Sequence, residues 1–201
     1  MTNPLLALEG LPDFAAIRAE HVEPAVTAIV ERHRAVLQAL LALPAPCFTS
    51  LIEPFEDANH ALARVWGAVQ HLNSVLDGEG FREAYSRCRV LLADYHAEVG
   101  QNPALYRACE QIRESEAASL SAPQLKLLDN LLRDFRLAGV ALPAEKKLRY
   151  RELMQQLATV QSKFDENVLD ATQAWTRHVK DAGELAGLPA GAMSRAAQAA
   201  R

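Results

Sequence analysis

Acidic side chains crowd one stretch of this sequence, "QSKFDENVLDATQAW" at residues 161–175. Asp165, Glu166 and Asp170 could ligate a metal, line a peptide-binding wall, or face solvent on a long helix. The apolar residues around them recur at steps of three and four, as on one face of an amphipathic helix. Because the carboxylates fall off that face, we expect a solvated acidic flank beside an apolar stripe buried in a packed core. The stripe comprises Tyr150, Leu153, Met154, Leu157, Val160, Phe164, Val168, Ala171 and Trp175.

Metal ligands are the next chemistry to consider, and the sequence contains no HExxH motif, in which two histidines four residues apart hold zinc. Asp57 and His60 stand three apart, like one arm of a carboxylate-bridged metal bundle, but no second copy follows. Asp94, His96 and Glu98 alternate, and residues two apart on a helix point in different directions. The sequence therefore predicts no metal site in this chain.

Nucleophiles are equally isolated, since no G-x-S-x-G, P-loop or G-x-G-x-x-G motif occurs. Ser74 lies near a helix end, where a hydroxyl usually satisfies a backbone group. Cys88 and Cys109 fall on helical segments, where cysteine is more often a small core residue. An odd cysteine count without CxxC spacing indicates a reducing cytoplasm. We expect no catalytic and no cofactor-binding residue here.

The charge balance excludes some partners, because a formal charge of -4 and a pI near 5.9 do not suit a phosphate backbone. The basic run of Lys146, Lys147, Arg149 and Arg151 is diluted by glutamates, so we interpret it as a solvated helix face. No apolar run is long enough to span a membrane, and no basic residue precedes the short apolar run at the N-terminus. Partners of nucleic-acid or membrane type are therefore not expected.

Ala and Leu dominate the composition, and prolines fall at segment starts, so the fold class predicted is all-α. We expect a multi-helix bundle with one long central helix, an extended N-terminal segment over 1–20, and a helical lobe over 21–201. Ser50 with Glu53, and Ser121 with Gln124, have the spacing of capping boxes. The predicted helices are 22–42, 50–76, 81–99, 103–118, 121–139 and 143–178, then a short one capped by Asp181, and a last one from Pro189 onward.

Three stretches resemble a known family: "HLNSVLD" (71–77), "LRDFRLAGVALPAEKKLRYREL" (132–153) and "FDENVLDATQAWT" (164–176). The opening "MTNPLL" and the late "DAGELAGLP" fit as well. In order and over essentially the whole chain, these segments are similar to the N-terminal region of the thimet oligopeptidase family of zinc metallopeptidases. None of them is a catalytic motif.

The resemblance implies a cytoplasmic, two-lobed, mostly helical enzyme that cuts short peptides inside a deep channel. It also implies that zinc is held by an HExxH helix and a downstream Glu that have no matching position here. This chain would then be the channel-wall lobe, truncated before the catalytic domain, with an exposed apolar patch where that domain packs. The stretches "HLNSV" (71–75) and "DENVLD" (165–170) are the candidates for facing the channel. The alternative is a free-standing helical adaptor that docks a partner helix and has no catalytic activity.

Overall fold

The computed structural model describes residues 3–76 and 78–200, and within them the chain is helical with no β-strand. A 3₁₀ turn, Pro4–Leu6, precedes the first helix, and a single π-helical turn, Phe48–Ile52, leads into the second. A second 3₁₀ turn, Ala182–Leu185, lies near the C-terminus. The helices are α1 (Ala19–Leu41), α2 (Glu53–Val75), α3 (Glu79–Gly100), α4 (Pro103–Ser115), α5 (Ala122–Leu137), α6 (Ala144–Ala174) and α7 (Ala190–Ala199). The all-α prediction is confirmed.

Two compact units divide the chain, Met1–Lys163 and Phe164–Arg201. The first unit has two hydrophobic clusters along α1. One joins the N-terminal half of α1 to α2 and α3, and the other joins its C-terminal end to the π turn, α4 and α5. Cys88 lies in the first cluster and Cys109 in the second, exposed by 1% and 0%. Burial raises the pKa of the Cys88 thiol to about 11 and that of Cys109 to about 12, so both are core residues, as expected.

Local capping explains most of the helix starts. The Asn102 side chain accepts hydrogen bonds from the backbone of Ala104 and Leu105, each at 3.0 Å, at the start of α4. The Ser121–Gln124 capping box opens α5, where the Ser121 backbone N–H donates to Gln124 Oε1 at 2.9 Å. These two starts were legible in the sequence because a cap depends only on near neighbours.

Two predicted starts were wrong. Ser50 does not cap α2; its hydroxyl accepts from the Cys47 backbone at 3.0 Å, and the chain makes the π turn before α2 begins. Helix α1 begins at Ala19, so Pro24 lies inside the helix rather than in its first turn. The proline lacks the N–H that would reach the Glu20 carbonyl, and burial of the surrounding apolar face compensates for that missing bond.

Helix α5 ends in a glycine turn that sets the direction of α6. Gly139 has a φ of +83°, a conformation that side chains with a Cβ rarely adopt, and the Val140 N–H donates back to the Phe135 carbonyl at 3.0 Å. Beside this turn, Gln101 donates to the Ala138 carbonyl at 3.1 Å. The turn is thereby fastened to the C-terminal end of α3, and α6 starts next to α3.

The second unit, Phe164–Arg201, has no buried residue among the positions described, 164–200. Arg177 pairs with Glu184 at 3.2 Å, and Asp181 accepts from the Gly183 backbone at 2.8 Å. The Asp181 cap is therefore confirmed, although it opens a 3₁₀ turn rather than an α-helix. Helix α6 ends at Ala174, so Trp175 lies just outside it.

Candidate functional site

The "HLNSV" candidate lies at the C-terminal end of α2. The Ser74 hydroxyl donates to the His71 carbonyl at 2.7 Å, which confirms the interpretation of this serine as a backbone partner. The His71 ring makes an edge contact with Phe14 at 5.2 Å between ring centroids. Asp77, which follows this stretch, lies outside the described residues.

The carboxylates of the "DYHAE" stretch on α3 point to different partners, as their spacing predicts. Asp94 pairs with Arg151 at 3.0 Å, and Glu98 pairs with Arg34 at 2.6 Å. His96 lies between them in sequence and is exposed. Each carboxylate thus joins α3 to another helix, Asp94 to α6 and Glu98 to α1, and the two form no common site.

Asp57 and His60 are likewise separate, and both are exposed on α2. Among the side chains in 3–76 and 78–200, no group of three or more His, Cys, Asp or Glu residues is placed to hold a metal. The described residues therefore do not form a zinc site of three or more such ligands.

The polar group that sequence reasoning missed is the buried histidine of α1. His33 is 2% exposed; its Nε2 lies 2.9 Å from Asn59 Oδ1, and its Nδ1 contacts the Tyr95 hydroxyl. Asn59 in turn donates to Glu56 at 3.0 Å. Since Asn59 Oδ1 is an acceptor, Nε2 carries the proton and Nδ1 accepts from the Tyr95 O–H. The network is complete only with neutral imidazole.

Burial lowers the pKa of His33, and the hydrogen bond with Asn59 opposes that shift. Burial also raises the pKa of the Tyr95 hydroxyl, so both groups stay neutral near pH 7. The signal for this core position was available, because residue 33 lies four after Ile29 and four before Leu37 on the apolar face of α1. The network ties α1, α2 and α3 together and has no free reactive atom.

Three cavities border these helices among the described residues, and the smallest, of about 230 Å³, is lined by His33 and Asp57 among others. One of about 260 Å³, lined by Phe55, Leu62, Tyr95 and Phe135 among others, is smaller than a typical ligand pocket of roughly 300–1,000 Å³. A more open cleft of about 550 Å³ lies between α1 and α3. Its lining includes Glu23 and Arg87, which pair with each other at 2.9 Å, and it contains no histidine or cysteine. The 260 Å³ cavity is also lined by Asn59, His96 and Asp134, but no group of three or more His, Cys, Asp or Glu side chains is placed to hold a metal among the described residues.

Helix α6 supplies the most unusual surface in the first unit, because it packs on α3 through polar and small residues. Ser162 Oγ lies 2.8 Å from Ser86 Oγ, and Arg89 donates to Gln161 at 2.8 Å. The two buried residues of α6 are Ala158 and Ser162. Half of the basic run is drawn into this contact: Lys147 and Arg151 are half-buried rather than fully solvated.

The apolar stripe of α6 is therefore not core, which corrects the expectation drawn from its spacing. In the first unit Leu153 is 47% exposed, Leu157 46% and Val160 64%. In the second unit the continuing stripe is exposed as well, at 65% for Phe164, 50% for Val168 and 72% for Trp175. The spacing identified an apolar face correctly, but the partner for that face does not lie among the described residues.

The acidic flank belongs to the second unit. Asp165 and Asp170 are exposed and Glu166 is half-buried. They lie off the apolar stripe as expected, and no metal-ligating cluster forms there among the described side chains. A role for "DENVLD" in facing a channel stays a prediction.

Comparison with known proteins shows which family these helices belong to. A model of the N-terminal domain of the neurolysin/thimet oligopeptidase family matches residues 26–147. The chain belongs to this family. The similarity that the sequence suggested is thereby confirmed for the family of peptidases and for its N-terminal domain.

Individual relatives match over the whole chain. Oligopeptidase A of Haemophilus influenzae is 41% identical over 100% of the chain, and that of Escherichia coli is 41% identical over 98%. A dipeptidyl carboxypeptidase of Salmonella typhimurium is 30% identical over 100% of the chain. The chain covers 30%, 29% and 30% of these three proteins, so it spans about a third of the length of the curated relatives it matches. None of the described helices combines the length and the apolar character needed to cross a membrane.

Proposed function

We propose that this chain forms the N-terminal helical lobe of a cytoplasmic, zinc-dependent oligopeptidase that hydrolyses short peptides. In this proposal the lobe builds part of a channel wall, and residues outside the 201 hold the zinc. The observation that carries it is the match of residues 26–147 to the family's N-terminal domain, together with 41% identity to oligopeptidase A over the whole chain.

The side-chain contacts inside the first unit support a role for it as a channel wall rather than as a reaction centre. Its buried histidine, His33, is held by Asn59 and Tyr95 of the neighbouring helices. Its ion pairs join neighbouring helices, as Arg34 with Glu98 joins α1 to α3 and Arg151 with Asp94 joins α6 to α3. A helical scaffold of this kind holds its surface in place, which a channel that admits only extended peptides requires.

The remainder of the polypeptide is the partner in this proposal, and short peptides are the substrates. The chain covers 30% of the Haemophilus influenzae oligopeptidase A, so most of that enzyme's sequence lies outside the matched region. We derive no step of hydrolysis from the present residues, because the proposal places the zinc ligands and the general base outside them.

The proposal is tested with a chimera in which this chain replaces the matching residues of Escherichia coli oligopeptidase A. We expect the chimera to cleave an internally quenched short peptide and to lose that activity on treatment with a chelator. The 201-residue chain alone is the control, and we expect it to cleave nothing and to bind less than about 0.1 zinc per chain.

A folded chimera without peptidase activity would contradict the proposal and would favour the adaptor interpretation. Chelator-sensitive turnover by the isolated chain would contradict it from the other side, because the metal site would then lie within these residues.

A further inference from the structure

The two faces of α6 within the first unit have opposite character and opposite surroundings. The face toward α3 is small and polar, with Ser162 against Ser86 at 2.8 Å and Arg151 paired with Asp94 at 3.0 Å. The other face carries Leu153, Leu157 and Val160, which we call the α6 stripe. A helix that follows only the hydrophobic effect would turn the stripe inward and the polar face outward.

The exposed apolar side chains of the α6 stripe are adjacent on the helix surface rather than scattered singly. Single exposed leucines are ordinary, but these three side chains stand four and three residues apart on one ridge and are 47%, 46% and 64% exposed. The half-buried Tyr150 and Met154 extend the apolar surface toward the start of the helix. A ridge with this spacing fits the groove of another helix.

The family match indicates which chain covers the ridge. The match to the family's N-terminal domain model ends at Lys147, in the first turn of α6, so the α6 stripe lies outside the matched stretch although it belongs to the first unit. The similarity to oligopeptidase A nevertheless continues through the whole chain, and most of that relative's sequence is not matched. The α6 stripe thus lies in the part of the chain that is similar to oligopeptidase A but follows the family-model match.

We propose that the α6 stripe packs against an apolar helix in the part of the oligopeptidase polypeptide that lies outside this matched region. The polar face of α6 fixes the helix to α3, and the stripe then joins the two parts of the enzyme. This inference rests on the proposed function, since it takes the peptidase polypeptide as the partner.

The size of the stripe favours a partner in the same polypeptide over a second copy of the chain. The three side chains of the α6 stripe offer on the order of 300 Å², and Phe164, Val168 and Trp175, which continue it in the second unit, offer roughly as much again. A standard interface between separate proteins buries roughly 800 Å² on each partner. A small apolar contact is sufficient within one polypeptide, where the effective concentration of the partner is high.

The experiment places Leu157→Asp in two contexts, the isolated 201-residue chain and the Escherichia coli oligopeptidase A chimera. In the isolated chain we expect the midpoint of thermal unfolding to change by no more than about 1 °C, because position 157 already faces solvent. In the chimera we expect a fall of roughly 5 °C or more, since the aspartate would be buried without a partner. Leu157→Ser is the milder variant and should give the same sign.

The matched control is Leu11→Asp, which makes the same chemical change at a leucine that is 95% exposed. We expect it to leave the midpoint unchanged in both contexts. Equal effects of Leu157→Asp in the two contexts would overturn the inference. So would a dimer of the isolated chain that light scattering detects and Leu157→Asp abolishes, because a second copy would then cover the stripe.

The outcomes also separate this inference from the proposed function. A chimera that cleaves peptides but tolerates Leu157→Asp as well as Leu11→Asp supports the function and contradicts the stripe contact. A chimera that is destabilised selectively by Leu157→Asp but cleaves nothing supports the contact and contradicts the function. If the wild-type chimera does not fold, neither the contact nor the lobe assignment holds.

Discussion

Helices α1 and α6 carry apolar residues at the same steps of three and four, yet the two faces end in opposite surroundings. On α1, Val26, Ile29 and Val30 are at most 3% exposed, packed with α2 and α3. On α6, Leu153 and Leu157 are nearly half exposed, and the helix contacts α3 through serines and ion pairs instead. The comparison shows that an apolar period defines a face, whereas burial depends on a partner that local sequence does not name.

The largest expected effect is a loss of stability on the buried face of α1, compared with the exposed face of α6. Ile29→Ala should lower the free energy of unfolding of the isolated chain by about 3 kcal/mol, because it removes buried methyl groups and leaves a cavity. Leu157→Ala should change it by less than about 0.5 kcal/mol, since the side chain already faces solvent. Urea denaturation followed by circular dichroism measures both. Similar losses for the two variants would show that α6 is core after all.

Two glycine substitutions test the contact between the C-terminal end of α3 and the turn that joins α5 to α6. A Cβ at Gly100 would lie 2.7 Å from the Ala138 Cβ, so Gly100→Ala should destabilise the chain by about 2 kcal/mol. Gly67→Ala on α2 is the matched control, because no atom lies within 4 Å of its added Cβ. The control should stabilise the chain by about 0.5 kcal/mol through the higher helix propensity of alanine. A tolerated Gly100→Ala would mean that the contact between α3 and the α5–α6 turn is looser than described.

Mildly acidic pH should lower the free energy of unfolding through His33, which is buried on α1. Burial lowers the pKa of His33 in the folded chain below its ordinary value of 6.5, so the unfolded chain binds more protons at mildly acidic pH. The stabilisation is fully present above pH 6.5 and is lost as the pH falls through the lowered pKa. The loss has a slope of at most about 1.4 kcal/mol per pH unit for this one group.

The measurement is the free energy of unfolding between pH 7.5 and pH 5 for the wild type and for His33→Leu. We expect a shallower pH dependence in the variant, together with lower stability at pH 7.5 because Tyr95 and Asn59 lose their buried partner. Parallel pH profiles for the two proteins would show that His33 does not titrate in the manner described.

The smallest effect is expected in the second unit. Trp175→Ala should change the free energy of unfolding of the isolated chain by less than about 0.5 kcal/mol, because the indole is 72% exposed. This reverses the expectation of a core tryptophan that its place on the apolar stripe suggests. Because the substitution removes a fluorescent tryptophan, chemical denaturation should be followed by circular dichroism at 222 nm rather than by fluorescence. A loss of stability near 3 kcal/mol would show that Trp175 is buried in a core.

Features with local causes were predictable from the sequence. The Asn102 and Ser121 starts and the glycine end of α5 follow from caps and a left-handed turn. The all-α class followed from the same signals. Each of them depends on residues fewer than about five positions apart along the chain.

Features with long-range causes were not predictable in the same way. The His33 network joins residues 33, 59 and 95, and the contact of α6 with α3 joins residues 86 and 162, so neither pairing is written in a local pattern. Ser50 and Glu53 have the spacing of a capping box for α2. The Ser50 hydroxyl instead accepts a hydrogen bond from the Cys47 backbone, at the start of the π turn that precedes α2. The absence of a reaction motif was legible, but the family, rather than any single side chain, supplied the function to propose.

The most direct test of the account is the labelling rate of a cysteine placed at Leu157, in a Cys47→Ser background that removes the half-buried native thiol. In the isolated chain, a maleimide reagent should modify Cys at position 157 within about tenfold of the rate for a free thiol in solution. In the Escherichia coli chimera, the same position should react at least about a hundredfold more slowly, because a buried thiol reacts only through opening of the structure. Slow labelling in the isolated chain, or equally fast labelling in both proteins, would contradict the account.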